Sequence, residues 1–237
     1  MMLECVDSAW RKEFCLGMKD TAPLMLGVFP FGLTFGMLAL GAGLTPAETM
    51  GMSLLVFAGA AQFFAILLLG QGVVSWSVLG LTTLLVNLRH LLMGASIAPY
   101  VLKLPFWQQA LLAFGMADET YAVTVSRIAT HGYQPAYQWG SNAAGYCTWA
   151  VSTALGVAVG SQLGDPLAWG LDIVMPATFL AMLMPRLRHK PGLAAALTGA
   201  VISVVGSLYL PGKWYLLLAT VAAAFVGGCL EGEKQNA

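Results

Sequence analysis

"LLVNLRHLLMG", residues 84–94, places an asparagine, an arginine and a histidine inside a run that is otherwise almost wholly apolar. On insertion scales an arginine at the centre of a membrane helix costs roughly 2.5 to 3.5 kcal/mol. The chain around it leaves little doubt about the solvent. Of 237 residues, 58% are hydrophobic and only 9% charged, against roughly 25% charged in soluble domains, and the mean hydropathy is +0.76. These values define an integral membrane protein. With runs of helix length and no alternating strand pattern, it is all-α and polytopic.

Apolar runs long enough to cross a bilayer fall near residues 21–43, 48–69, 74–100, 106–129, 137–160, 166–184, 193–210 and 213–230. They form one membrane domain between tails at 1–20 and 231–237. Eight spans is the expectation. Seven is the alternative, because Asp118 and Glu119 interrupt the fourth run, where a re-entrant element has the same appearance. With the amino terminus inside and eight crossings, Arg11, Lys12, Lys19, Arg127, Arg186, Arg188, Lys190 and Lys234 fall inside, and Lys103 and Lys213 outside. That asymmetry satisfies the positive-inside rule and puts both termini in the cytoplasm.

The 11 basic and 11 acidic side chains cancel and form no long run of one sign, so nothing points to nucleic acid as a partner. No cleaved signal is evident before the first long run. Cys5, Cys15, Cys147 and Cys229 have no metal-binding spacing and read as reduced. No cofactor or metal motif is present. In "GVFPFGLTFG", Pro30 and Gly32 mark an expected kink or break in the first span. A faint repeat relates 38–69 to 155–184, each passing from a Gly-rich helix end through a Pro turn into a small-residue helix.

The polar residues at membrane depth carry the functional reading. With the third span starting near residue 74, Arg89 lies roughly 20 Å along it, near the middle of a layer about 30 Å thick. Asn87, His90 and Gly94 share one helical face, and Thr82, Arg89 and Ser96 another. A helix with two polar stripes is surrounded by protein or a cavity. Arg89 suits either a buried ion pair or bidentate capture of a carboxylate, and His90 either an interhelical hydrogen bond or proton transfer. The acidic candidates are Asp118, Glu119 and Asp172. Adjacent carboxylates diverge by about 100° on a helix, so one of Asp118 and Glu119 can balance Arg89 while the other meets a cation or a proton. In "FAGAAQFFA", residues 57–65, Gly59 leaves space, Phe63 is one of three phenylalanines lining the stretch, and Gln62 brings an amide that needs a partner.

No HExxH or GxSxG signature supports an enzyme, and flux saturation with counter-transport separates a carrier from a channel for a small solute. "FPFGLTFG", "SLLVFAGAAQF", "LVNLRHLLMG" and "DETYAV", in this order over residues 20–185, resemble the AzlC/YgaZ-like large subunits of bacterial branched-chain amino-acid exporters. The resemblance implies a secondary carrier of the bacterial cytoplasmic membrane that exports leucine, isoleucine and valine, sometimes methionine, with a small AzlD-like membrane subunit. A zwitterionic apolar substrate needs donors for its carboxylate, acceptors for its ammonium and a dry pocket. Arg89, Asn87, Gln62, Gly59, Phe63, Asp118 and Glu119 are the candidate binding residues, and His90, Asp118, Glu119 and Asp172 the candidate proton-coupling groups.

Overall fold

A computed structural model describes residues 2–72, 75–162, 186–210 and 214–235, together with Ala177, Leu180, Leu183 and Met184. The described residues are helical and contain no strand. In chain order the helices are α1 (Met2–Gly41), α2 (Pro46–Leu55), α3 (Gly59–Gly70), α4 (Trp76–Val101), α5 (Phe106–Phe114), α6 (Asp118–His131), α7 (Pro135–Gly160), α8 (Lys190–Tyr209) and α9 (Trp214–Gln235), with one 3₁₀ turn at Arg186–Arg188. Ser8–Gly41, Leu79–Val101, Pro135–Gly160 and Lys190–Tyr209 are long and apolar enough to cross a bilayer. The second half of the 38–69/155–184 repeat lies largely outside the described residues.

Two of the expected spans fold differently. The run at 48–69 divides into α2 and α3, which at 1.5 Å per residue extend about 15 and 18 Å, each well short of a hydrocarbon layer about 30 Å thick. A continuous crossing would carry its two ends to opposite faces. Instead Gly70, at the end of α3, lies beside Ala42, three residues before α2's cap. The pair is therefore a re-entrant hairpin, entering and leaving where α1 finishes. The start is set locally by "TPAE": Thr45 Oγ1 accepts from the Glu48 N–H at 3.2 Å, and the Thr45 N–H donates to Glu48 Oε2 at 2.8 Å.

The run at 106–129 does the same from the opposite end. Tyr100, in the last turn of α4, packs its ring against Tyr133, just after α6, at a centroid distance of 5.9 Å. Arg127 of α6 reaches back to Glu13 near the start of α1 at 2.9 Å. This is the re-entrant alternative that Asp118 and Glu119 raised. Lys103, which follows Tyr100 closely, thus lies at the same end of the fold as Arg127. Asp118 and Glu119 fall in the first turn of the returning helix, not in mid-span.

The first span corrects another expectation. α1 is not broken at Pro30 or Gly32; it runs unbroken from Met2 to Gly41 with Pro23 and Pro30 inside it. Gly32 serves packing, because a Cβ there would collide with Ser152 of α7. Gly36 repeats the contact one turn on, where a Cβ would sit 2.5 Å from the Thr153 carbonyl and 2.8 Å from the Val157 nitrogen. Farther along, Gly160 meets Met37, and towards the start Thr21 Oγ1 is 2.7 Å from Ser141 Oγ. Contacts advance in the same direction on both helices, so α1 and α7 run parallel, close-packed through small residues as membrane helices do in the absence of a hydrophobic drive between them.

The chain divides into two compact units, one made of residues 1–74 and 86–171, the other of 75–85 and 172–237. Both hairpins belong to the first. In the second, α8 and α9 pack antiparallel, with Gly199 against Ala223 and Gly227 against Ala195. Val201, Val204 and Leu208 of α8 are exposed, an outer face suited to lipid.

Candidate functional site

The tips of the two hairpins meet beside one short stretch of α7, residues 142–149. At the first tip the helix stops at Leu55, whose neighbour Leu54 leaves a carbonyl without an intrahelical donor. Tyr146 Oη donates to that carbonyl at 2.9 Å. Phe57 turns the chain with φ of 43°, a left-handed conformation that costs a bulky residue roughly 1 to 3 kcal/mol. Its ring is held by Tyr146 at 5.0 Å and by Phe114 of the opposite hairpin at 6.1 Å. Gly59 then starts α3 against Trp149, where a Cβ would come within 2.9 Å of the indole.

The second tip is built the same way. α5 ends at Phe114, and Asn142 Nδ2 donates to the free Leu112 carbonyl at 2.9 Å. Gly115 packs on Asn142, and Thr120 on Gly145. The Ala117 N–H donates to Thr120 Oγ1 at 2.8 Å, which closes the start of α6. One face of α7 thus caps the broken backbone of both hairpins, as irregular chain at membrane depth requires. The sequence singled out neither Asn142 nor Tyr146. Their signal was polar side chains in the middle of a 26-residue apolar helix.

Arg89 meets one carboxylate. Its Nη1 pairs with Asp118 Oδ2, both side chains being about a third exposed at 31% and 30%. Arg89 and Ser96 are the residues turned to α6, for Ser96 Oγ also lies 2.8 Å from the Tyr121 hydroxyl. Met93 and Ile97 pack with Met116 beside them. Asp118 thus stands both at the positive end of α6 and beside a guanidinium. Asn87 and His90 lie on α4 with Asn87 Oδ1 and His90 Nδ1 buried and unpartnered. Gln62 is fully buried, and neither its Nε2 nor its Oε1 has a partner. Phe63 stacks edge-on against Phe35 of α1 at 5.8 Å. Asp172 lies outside the described residues.

At the end where α1 begins, a cleft of about 670 Å³ opens between α1, α6 and α7, lined by Lys19, Asp20, Ser126, Arg127 and His131 among others. Tyr137 Oη donates to Asp20 Oδ2 at 2.7 Å, and the Arg127 guanidinium covers the Tyr137 ring at 5.2 Å. In the turn between α6 and α7, Tyr133 donates to Gln138 Oε1 at 2.8 Å. Burial pushes its phenol up to about 12, so it remains a donor at any physiological pH.

Opposed re-entrant hairpins joined at their tips, with ionisable groups at that depth, define a polytopic membrane protein of the transport class. The chain belongs to the AzlC protein family, whose model matches residues 23–163. It is 29% identical over 225 residues to the inner membrane protein YgaZ of Escherichia coli, covering 92% of this chain and 88% of that one. An uncharacterized membrane protein of Archaeoglobus fulgidus is 34% identical over 221 residues, 92% of this chain and 94% of its own. The branched-chain amino acid transport protein AzlC of Bacillus subtilis is 26% identical over 216 residues, 91% and 82% respectively. No solved structure matches the chain significantly.

Proposed function

We propose that this protein is a secondary carrier, not an enzyme, that exports leucine, isoleucine and valine, with methionine as a further substrate, by alternating access in the cytoplasmic membrane. It works with a small AzlD-like membrane subunit and is coupled to protons. The observation that carries this reading is the meeting of two re-entrant hairpins at mid-depth, each inserted from its own side. Half-helix ends at that depth can hold charged substrate groups, and movement of one hairpin at a time opens the site to one side only. The apolar rings at the tips, Phe57, Phe114 and Tyr146, suit an apolar side chain, and Glu119 with the proton-linked His90 supplies charge for ammonium binding and coupling.

In this reading the amino terminus is cytoplasmic. With both hairpins returning to their own side, and with the expected span at 166–184, which lies largely outside the described residues, Arg11, Lys12, Lys19, Lys103, Arg127, Arg186, Arg188, Lys190 and Lys234 are assigned to the inside. Only Lys213 lies outside and Arg89 within the membrane, a sharper asymmetry than eight crossings produce. The test is efflux of labelled leucine from loaded proteoliposomes, with the chain alone and with its small subunit. Saturable efflux accelerated by external leucine supports a carrier. Non-saturating flux without counter-transport would make it a channel.

A further inference from the structure

The two hairpins are related by sequence as well as by shape. "LLVFAGAAQFFA", 54–65, and "LLAFGMADETYA", 111–122, align without a gap. Leu54, Leu55, Phe57, Ala60 and Ala65 have identical counterparts in Leu111, Leu112, Phe114, Ala117 and Ala122, and Gln62 stands where the second copy has Glu119. Each copy spans the end of a short helix, the tip and the first turn of the returning helix, with boundaries agreeing to within two residues. Since one hairpin enters from the end where α1 finishes and the other from the end where it begins, the copies are inverted. α1 with α2–α3, and α4 with α5–α6, are then the two halves of an inverted repeat.

Symmetry of backbone makes the difference in charge informative. The first turn of α6 carries Asp118 and Glu119, which exclude an anion from that helix end. The first turn of α3 has no acidic residue and no side-chain cap on its free N–H groups. Gln62 stands in that turn, fully buried, with both amide atoms unpartnered. Side chains on a helix lean towards its start, so the amide lies over the uncapped turn. Trp149, 7% exposed and packed with the benzo edge of its indole on Gly59, also carries a buried, unpartnered Nε1 donor. A buried amide left unpaired is costly. A group built at that cost, in a fold that caps its other tip groups carefully, is waiting for a ligand.

We propose that the first turn of α3, the Gln62 amide and the Trp149 indole N–H form the carboxylate subsite of an amino-acid site, the α6 turn being its cation-selective counterpart. This rests on the transport reading and specifies which hairpin takes which end of the zwitterion. A carboxylate receives hydrogen bonds from Gln62 Nε2, from Trp149 Nε1 and from backbone N–H groups at a positive helix end.

The experiment measures binding of each of the twenty amino acids, and of leucinamide, to the purified full chain in nanodiscs, alongside thermal unfolding. Gln62→Met keeps the bulk of the side chain and Trp149→Phe an aromatic ring smaller than indole, and both remove the donors. Each is expected to weaken leucine binding at least tenfold and to leave leucinamide binding within twofold of its wild-type value, and Gln62→Met to unfold no earlier than wild type. Gln62→Glu, which sets an anion against the carboxylate, is expected to abolish leucine binding. If some other amino acid is bound with this same dependence, the subsite stands and the branched-chain assignment falls. Undiminished amino-acid binding by Gln62→Met and Trp149→Phe overturns the subsite and leaves the transport reading intact. A lowered unfolding temperature with unchanged affinity shows that both groups are structural, and binding of no amino acid by the wild type overturns subsite and transport reading together.

Discussion

Placing a single cysteine at Lys103 and another at His131, in chains without the native thiols, asks whether residues 106–131 cross the membrane. Both positions are exposed. As one continuous crossing, the 26 residues of this segment would span about 39 Å, more than the hydrocarbon thickness, and the two cysteines would face opposite compartments. Folded back at residues 115–117, α5 and α6 reach only about 14 and 21 Å, and their outer ends are tied by the Tyr100–Tyr133 ring contact at 5.9 Å. An impermeant maleimide applied to right-side-out and inverted vesicles is therefore expected to label both cysteines from the same side, the cytoplasmic one. Ala47→Cys and Gln71→Cys, flanking the first hairpin, should both react from the other side. Labelling of positions 103 and 131 from opposite faces would refute the hairpin, and with it the paired-tip site.

Further substitutions probe what holds the helices and the tips in place. Gly36→Ala puts a methyl 2.5 Å from the Thr153 carbonyl, where ordinary contact begins near 3.4 Å. α1 and α7 must part by about 1 Å at a cost of roughly 1 to 3 kcal/mol, so the unfolding temperature should fall by about 5 °C. Gly27→Ala, which meets nothing within 4 Å, should unfold at or above the wild-type temperature because alanine is the better helix former. Tyr146→Phe keeps the rings of Phe57 and Phe114 packed and frees the Leu54 carbonyl, and is expected to cost about 1 kcal/mol in the same assay. Arg89→Ala leaves Asp118 uncompensated and, at one-third exposure, should cost between the roughly 0 to 1 kcal/mol of a surface pair and the 3 to 5 of a buried one. Adding Asp118→Ala should recover part of that loss, which a double-mutant cycle measures.

Helical class and membrane solvent were legible because apolar length is a property of each run by itself. The direction of the chain is not. A crossing and a hairpin of two half-helices have the same composition and the same 3.6-residue period, and only long-range contacts such as Gly70 with Ala42 tell them apart. The local sign was present in 106–129, where Asp118 and Glu119 favour a helix start. At 48–69 it was absent, because the turn is made by Phe57 at φ of 43°, with no proline or glycine at the turning residue itself. Pro30 drew attention to the wrong helix: a proline inside a long helix packed along most of its length loses one hydrogen bond without ending it. The Asn142 and Tyr146 caps became visible only once the carbonyls they serve were placed.

The cation in "LLVNLRHLLMG" acquires its meaning from the hairpin opposite it. A re-entrant helix start at mid-depth attracts anions, and the chain supplies two, Asp118 and Glu119, where the dielectric is low and two adjacent negative charges repel strongly. Arg89 takes Asp118. Its guanidinium cannot lose its proton, so with the Asp118 carboxylate it makes a neutral pair, and Glu119 is left as the other carboxylate of the tip. A lysine at the same position preserves that neutrality, because a point charge is enough to hold one carboxylate; bidentate capture of a substrate would demand the planar fork. Arg89→Lys is therefore expected to retain most of the wild-type transport and stability, and Arg89→Ala to lose both. Loss of transport in a well-folded Arg89→Lys protein would instead mean that the guanidinium leaves Asp118 during the cycle and grips the substrate carboxylate itself, moving the anion subsite from α3 to α4.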